Sequence, residues 1–129
     1  DVYKRQFARC PDIRFIFSHA GGTVPFLAER IARLAARPNF KDAVPNGVIP
    51  ELSPLYFDTA LSANWFTFRS LLELVSAQQV LFGSDYPFAP EATMTATVKG
   101  LIDLGLPEDQ LSGIERGNAL ALFPQLSSG

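Results

Sequence analysis

The sequence has little of several features that would each point to a class of protein. It contains one cysteine, Cys10, so an internal disulfide is impossible and a reducing compartment is expected. Its 11 basic residues form no cluster and are outnumbered by 13 acidic ones, which argues against binding to nucleic acid or an anionic membrane. No apolar run approaches the ~18 residues of a membrane span, and the first residues lack the apolar stretch of a signal peptide. We therefore predict a cytoplasmic protein.

Apolar residues, by contrast, are abundant. They make up 47% of the chain against 19% charged residues, a balance typical of α/β proteins whose parallel strands are buried on both faces. Residues 13–18, 55–60 and 80–85 are predicted strands, because each is apolar at its start and polar at its end. The sequence thus predicts three buried strands of one sheet.

Helical patterns fill the intervals between these strands. Ser62 or Asn64 is the expected cap of the second helix, and two short helices are predicted near residues 107–110 and 118–123. The three longer helices are predicted from apolar stripes formed by Val24, Leu27, Ile31 and Leu34, by Phe68, Leu71, Leu72 and Val75, and by Met94, Val98, Leu101 and Ile102. Strands that alternate with single helices indicate parallel pairing and an α/β fold class.

Three ionisable side chains lie where the predicted strands end. They are His19, the only histidine in the chain, Asp58 and Asp85. Active groups gather at the carboxyl ends of parallel strands, and a histidine with a carboxylate can bind a divalent metal or exchange protons. A purely structural hydrogen bond for His19 and a turn-capping role for Asp85 remain open alternatives. A phosphate cradle at Gly21–Gly22 is a third interpretation.

Four segments in order resemble the amidohydrolase-related family, the branch that includes aminocarboxymuconate-semialdehyde decarboxylase and the salicylate-type decarboxylases. Residues 15–26, with Ser18-His19-Ala20-Gly21-Gly22, resemble its sixth strand and following loop. Residues 55–61 resemble the seventh strand, and residues 80–88, with Gly83-Ser84-Asp85-Tyr86-Pro87, resemble the eighth. Residues 117–123 resemble the closing helix.

The resemblance implies a fold and a metal centre. The fold would be the C-terminal part, strands six to eight with their helices, of a metal-dependent (β/α)8 TIM barrel. Asp85 matches the aspartate ligand of the family's metal, which is usually zinc, and His19 matches the histidine that takes or delivers the reaction proton. The family's other metal ligands are histidines on the first and fifth strands, and they have no counterpart in a chain with one histidine.

The resemblance also implies a substrate site. Asp58 matches a family acid expected to hydrogen-bond to the residues around the metal or at the strand end, with a purely structural role as the alternative. Phe26, Trp65 and Phe88 would line a pocket for a small carboxylic acid, with core packing as the alternative for each. The expected reaction is non-oxidative decarboxylation of a small aromatic or unsaturated carboxylic acid. The alternative reaction is hydrolysis of a lactone, ester or amide.

The predicted organisation is one partial barrel domain at residues 7–126, between a non-native or disordered tail at residues 1–6 and a short tail at residues 127–129. A chain with one metal-binding carboxylate is expected to be inactive alone and to associate through its bare sheet edges. A non-catalytic fragment, or a partner that completes a barrel with another chain, is therefore a second class of hypothesis. A homodimer is a possible assembly.

Overall fold

Three short parallel strands alternate with helices in the computed structural model, which describes residues 6–35, 37–38 and 44–128. The strands are β1 Ile16–Phe17, β2 Tyr56–Asp58 and β3 Val80–Leu81. The helices are α1 Gln6–Arg9, α2 Val24–Ala35, α3 Val48–Leu52, α4 Trp65–Leu74, α5 Glu91–Asp103, α6 Glu108–Ser112 and α7 Asn118–Leu122. Single 3₁₀ turns occur at His19–Gly21, Ala77–Gln79 and Pro124–Ser128, and a π-helical segment, Gly113–Gly117, joins α6 to α7.

The sheet has the order β1-β2-β3, and both pairings are parallel. This confirms the parallel α/β arrangement predicted from the strand–helix alternation. Phe17, Phe57 and Val80 are cross-strand partners in register, so they share one face of the sheet. Phe57 and Val80 are almost completely buried on this face.

The strands are shorter than the six residues predicted for each. Where the strands end, backbone N–H groups donate to side-chain oxygens and no longer to a neighbouring strand. The Asp58 carboxylate accepts the backbone N–H of Ala60 at 3.0 Å, and the Thr59 hydroxyl accepts the backbone N–H of Gly83 at 3.0 Å. Backbone groups that bond to side chains are no longer available to a neighbouring strand. Of the polar residues that end the predicted strands, Asp58 is the last residue of β2, and Ser18, Thr59, Ser84 and Asp85 belong to the loops.

Helix α4 supplies the centre of the core. Phe68 and Leu71 are fully buried, as their apolar stripe predicted. Asn64 is the N-cap, because its side chain accepts the backbone N–H of Thr67 at 3.1 Å, which decides between the two predicted caps. The stripe of α2 was predicted one turn too far, because Leu34 is 45% exposed.

The predicted stripe of α5 is wrong on one side of the helix. Val98 and Ile102 are 44% and 55% exposed, whereas Leu101 is buried. Gly100 explains the rotation of the helix: a Cβ at this position would lie 2.2 Å from the backbone oxygen of Ala63. The helix thus turns its one glycine toward the loop after β2, and the two β-branched residues face away from the core.

The expectation that all strands are buried on both faces is correct for β3 and wrong for β1. Both residues of β3 are buried, whereas Ile16 and Phe17 of β1 are 42% and 37% exposed. Within the described residues β1 pairs with β2 alone, and the ring of Phe7 in α1 lies 6.2 Å from that of Phe17. The sheet is therefore open at the β1 edge.

The predicted N-terminal tail lies outside the described residues except for Gln6, which begins α1. Gly129 of the predicted C-terminal tail also lies outside them. Across the ranges that the structure describes, no helix combines the length and the apolar character needed to span a bilayer.

Candidate functional site

The carboxyl edge of the sheet brings two of the three predicted residues into direct contact. His19 follows β1 and Asp58 ends β2, and the backbone N–H of His19 donates to Oδ1 of Asp58 at 2.8 Å. Asp85 follows β3 at the same edge, two residues after Gly83. All three residues are partly buried, so each is partly accessible from outside.

The imidazole of His19 is anchored through one ring nitrogen. Nδ1 lies 3.1 Å from the backbone oxygen of Ala60, which follows the adjacent strand β2. A carbonyl oxygen can only accept a hydrogen bond, so Nδ1 carries the proton and is the donor. In the neutral ring Nε2 then bears the lone pair, and it is the nitrogen available to a metal, a water molecule or a substrate.

The loops at this edge contain all the described non-glycine residues with left-handed backbone angles. These residues are His19, Ala20, Leu61 and Asp85, with φ between 53° and 64°. A left-handed non-glycine residue costs on the order of 1–3 kcal/mol and persists only where surrounding contacts fix it. Because the loops after β1, β2 and β3 each contain at least one such residue, this edge is the strained part of the molecule. Strain of this kind is concentrated at functional sites.

Thr59 and Gly83 connect the ends of β2 and β3, and neither was predicted to belong to the site. The Thr59 hydroxyl donates to the backbone oxygen of Gly83 and accepts its backbone N–H, both at 3.0 Å. Thr59 is fully buried. A Cβ on Gly83 would lie 3.0 Å from the Cβ and Cγ of Asp58, so glycine allows β3 to approach the carboxylate. The available signal for Thr59 was a second polar residue directly after Asp58 at the end of an apolar segment.

The residues present do not form a complete metal centre. Within the described residues, no group of three or more histidine, cysteine, aspartate or glutamate side chains is close enough together to hold an ion. At the carboxyl edge the candidate donors are Nε2 of His19 and the Asp85 carboxylate. Zinc takes three or four protein ligands, so this donor set fits part of a metal site only.

The three predicted substrate-binding aromatics lie close in sequence to the strand ends. Phe26 is in the first turn of α2, Trp65 begins α4, and Phe88 follows β3. They are 80%, 49% and 87% exposed, so none of them packs in the core of the described residues, and their part in a substrate pocket stays a prediction. The Arg69 guanidinium lies 5.3 Å from the centre of the Trp65 ring, within the range of a cation–π contact.

A cavity of about 480 Å³ lies beside the open strand β1 and is bordered by Gly21, the last residue of the turn that begins at His19. It is surrounded by side chains from α1, β1, α2, α3 and β2, and its walls are almost entirely apolar. They include Phe7, Phe15, Phe17, Val24, Leu52 and Phe57. None of the predicted substrate-binding residues borders it.

Comparison with known sequences shows the family of the chain. The sequence model of the amidohydrolase family matches residues 2–125. The chain belongs to the amidohydrolase family. This confirms the recognition made from the four segments, three of which contain the strand ends described above.

The amidohydrolase chain is also similar to a characterised enzyme. It is 38% identical over 117 residues to 6-methylsalicylic acid decarboxylase of Penicillium expansum, an alignment that covers 90% of the chain and 36% of that protein. The chain therefore spans little more than a third of the length of this relative.

Solved structures match the fold over the same extent. An amidohydrolase II structure has a TM-score of 0.78 at 28% identity and covers 90% of this chain, which spans 37% of it. A 5-carboxyvanillate decarboxylase from Novosphingobium aromaticivorans, complexed with manganese and 4-hydroxy-3-methoxy-5-nitrobenzoic acid, has a TM-score of 0.75 at 14% identity. That match covers 95% of this chain and 36% of the decarboxylase. The second likeness concerns the fold alone.

Proposed function

We propose that this amidohydrolase chain is the C-terminal part of a (β/α)8 barrel decarboxylase, containing its strands six to eight. The parallel order β1-β2-β3 and the coverage of little more than a third of the matched structures support this placement. The corresponding domain is residues 7–126, and the cytoplasmic location and a homodimeric assembly stay predictions.

The proposed substrate is a small aromatic carboxylic acid. The support is the 38% identity to an enzyme that decarboxylates 6-methylsalicylic acid. Phe26, Trp65 and Phe88 favour an aromatic substrate, since exposed rings close in sequence to the strand ends can stack on it. In the reaction the bond between the ring carbon and the carboxylate breaks. Its electron pair binds a proton at that carbon, and carbon dioxide leaves.

The observation that carries the proposal is the hydrogen bond between Nδ1 of His19 and the carbonyl of Ala60. It fixes the ring and leaves Nε2 to hold a proton beside the substrate and transfer it to the ring carbon. Histidine suits this task because its protonation changes near neutral pH.

Asp85 is proposed as a ligand of a divalent metal. Such an ion supplies a positive charge that orients and polarises the oxygens of an aromatic acid. Zinc is the finer prediction, and the manganese of the 5-carboxyvanillate decarboxylase makes manganese the alternative. The residues that the structure describes bring too few donors together to complete the site, so the remaining ligands would come from the rest of the barrel.

A chimaera tests this function. The matched third of the Penicillium expansum decarboxylase is replaced by this chain, and release of carbon dioxide from 6-methylsalicylic acid is measured. The chimaera is expected to be active and to contain one divalent ion per chain by elemental analysis. His19→Ala and Asp85→Ala are each expected to lower kcat/KM at least ~100-fold, the range for loss of a proton-transfer group.

Asp12→Ala is the matched control, because it removes an exposed carboxylate that precedes β1, the strand that His19 follows. It is expected to keep the activity of the parent chimaera within about twofold. A folded chimaera that hydrolyses lactones or esters but releases no carbon dioxide would favour the hydrolase alternative. Full decarboxylase activity in His19→Ala would contradict the role given to the imidazole.

A further inference from the structure

We propose that Asp58 is a positioning residue that fixes the tautomer and the orientation of the His19 imidazole. The inference rests on the proposed function only in that it gives His19 a task. The geometry itself lies in three hydrogen bonds between the ends of β1 and β2. They join His19, Asp58 and Ala60 into one closed ring.

One carboxylate oxygen forms two of the three bonds. Oδ1 of Asp58 accepts the backbone N–H of His19 at 2.8 Å and the backbone N–H of Ala60 at 3.0 Å. The third bond runs from Nδ1 of His19 to the carbonyl of Ala60 at 3.1 Å. Asp58 therefore holds the residue that bears the imidazole and also the residue whose carbonyl holds the ring. Loss of its oxygen removes both supports.

The backbone of His19 needs this support. His19 and the next residue, Ala20, have φ of 55° and 53°, a conformation that residues other than glycine rarely adopt. The charge-assisted hydrogen bond that the His19 N–H donates to the carboxylate offsets part of this strain. Without it, the backbone of His19 is expected to relax toward an ordinary region and to move the ring away from the Ala60 carbonyl.

The carboxylate is itself held from the third strand. A Cβ on Gly83 would approach the Cγ of Asp58 to 3.0 Å, and Thr59 binds Gly83 through two hydrogen bonds. The backbone of the loop after β3 thus limits where the Asp58 side chain can lie. A Gly83→Ala substitution would displace the carboxylate without removing it, which gives a second and independent way to perturb the ring.

Nitrogen NMR of the imidazole tests the proposal on the chain as it stands. Because the chain has one histidine, the ¹⁵N signals of its ring need no assignment among several residues. At alkaline pH, where imidazole is neutral, the unmodified chain is expected to show the Nδ1–H tautomer. Free histidine side chains in water prefer Nε2–H, so an Nε2–H signal in the unmodified chain would overturn the proposal.

The variants separate positioning from folding. Asp58→Asn keeps an oxygen acceptor and is expected to retain the Nδ1–H tautomer, as is Asp12→Ala, the exposed control. Asp58→Ala is expected to shift the signals toward Nε2–H. Folded Asp58→Ala that keeps Nδ1–H unchanged would refute the role, and if circular dichroism shows that it does not fold, Gly83→Ala decides by the same readout.

Kinetics of the chimaera complete the test. Asp58→Ala is expected to lower kcat by about tenfold to 100-fold with KM little changed, and Asp58→Asn is expected to restore most of kcat. A chimaera without any activity would count against the proposed function, while the tautomer measurement would still decide the role of Asp58. Equal kcat in Asp58→Ala and the parent chimaera would count against the role itself.

Discussion

The two outer strands of the sheet differ in how their free edges are treated. At β3 the chain itself closes the edge: the backbone N–H of Phe82 donates to the carbonyl of Ile114 at 2.9 Å. The Asn118 amide donates to the carbonyls of Val80 and Ala77 at 2.7 and 2.8 Å. At β1 both residues are more than a third exposed, and an apolar cavity lies beside them.

The difference shows which outer strand is covered by other elements of the same chain. Unpaired strand edges promote association, and proteins that are stable alone cover them with a helix or loop. The π-helical segment and α7 cover β3 in this way. Within the described residues β1 has no second strand partner and both its residues are more than a third exposed, which agrees with a chain that spans little more than a third of its relative.

The largest expected loss of stability comes from a substitution in the π-helical segment that covers β3. Ile114 is fully buried against β3, and Ile114→Ala should lower the free energy of unfolding by about 3–4 kcal/mol through lost burial and a residual cavity. Urea unfolding followed by circular dichroism measures this loss. A change below ~1 kcal/mol would mean that the π-helical segment does not support β3.

A second substitution tests how closely α5 packs against the loop after β2. Gly100→Ala would place a Cβ 2.2 Å from the backbone oxygen of Ala63, and it should cost about 2–3 kcal/mol because neither helix nor loop can yield cheaply. The control is Gly117→Ala, whose Cβ would have its nearest contact at 3.6 Å, from Ser112. Equal urea midpoints for the two variants would contradict the tight contact.

The hydrogen bonds of Asn118 at the β3 edge are expected to contribute less to stability than the burial of Ile114. Asn118→Ala leaves the carbonyls of Ala77 and Val80 without their side-chain donor and should cost about 2 kcal/mol. Asn46→Ala is the control, because it removes an exposed bond to Glu51 that should contribute at most ~0.5 kcal/mol. Thermal unfolding of both variants in parallel measures the difference. Identical midpoints would show that α7 holds to β3 by apolar contacts alone.

The smallest effect is expected at the open edge. Ile16→Ala removes the same side-chain atoms as Ile114→Ala, but Ile16 is 42% exposed, so the expected loss is under ~1 kcal/mol. Urea unfolding at several protein concentrations is the measurement. A loss as large as that of Ile114→Ala, growing with concentration, would show that copies of the chain cover β1 in solution.

Much of the candidate site was predictable from local chemistry. His19, Asp58 and Asp85 end apolar segments, and parallel strands bring their ends to one edge, so the contact of His19 with Asp58 follows from the pattern. Thr59 and Gly83 were missed because their role depends on two strands that are adjacent in space and not in sequence. No periodicity encodes a bond between a side chain and the backbone of another strand.

In the helices, too, features set by local contacts were predictable and features set by tertiary contacts were not. The Asn64 cap was predictable as one of two residues, because capping concerns bonds within one turn. The buried face of α5 was not, because Val98 and Ile102 are apolar and still face outward. Gly100 selects the inward face through a contact with Ala63, about 37 positions away in the sequence.

The sequence by itself determined the strand–helix alternation, the parallel pairing and the family, because these follow from short-range periodicity and from motifs along the chain. Only the tertiary structure decided that the β3 edge is closed and the β1 edge open, and that the imidazole of His19 is held through Nδ1. Both depend on groups that meet across strands, where the geometry of the packed chain, and not the identity of each residue, sets which hydrogen bonds form.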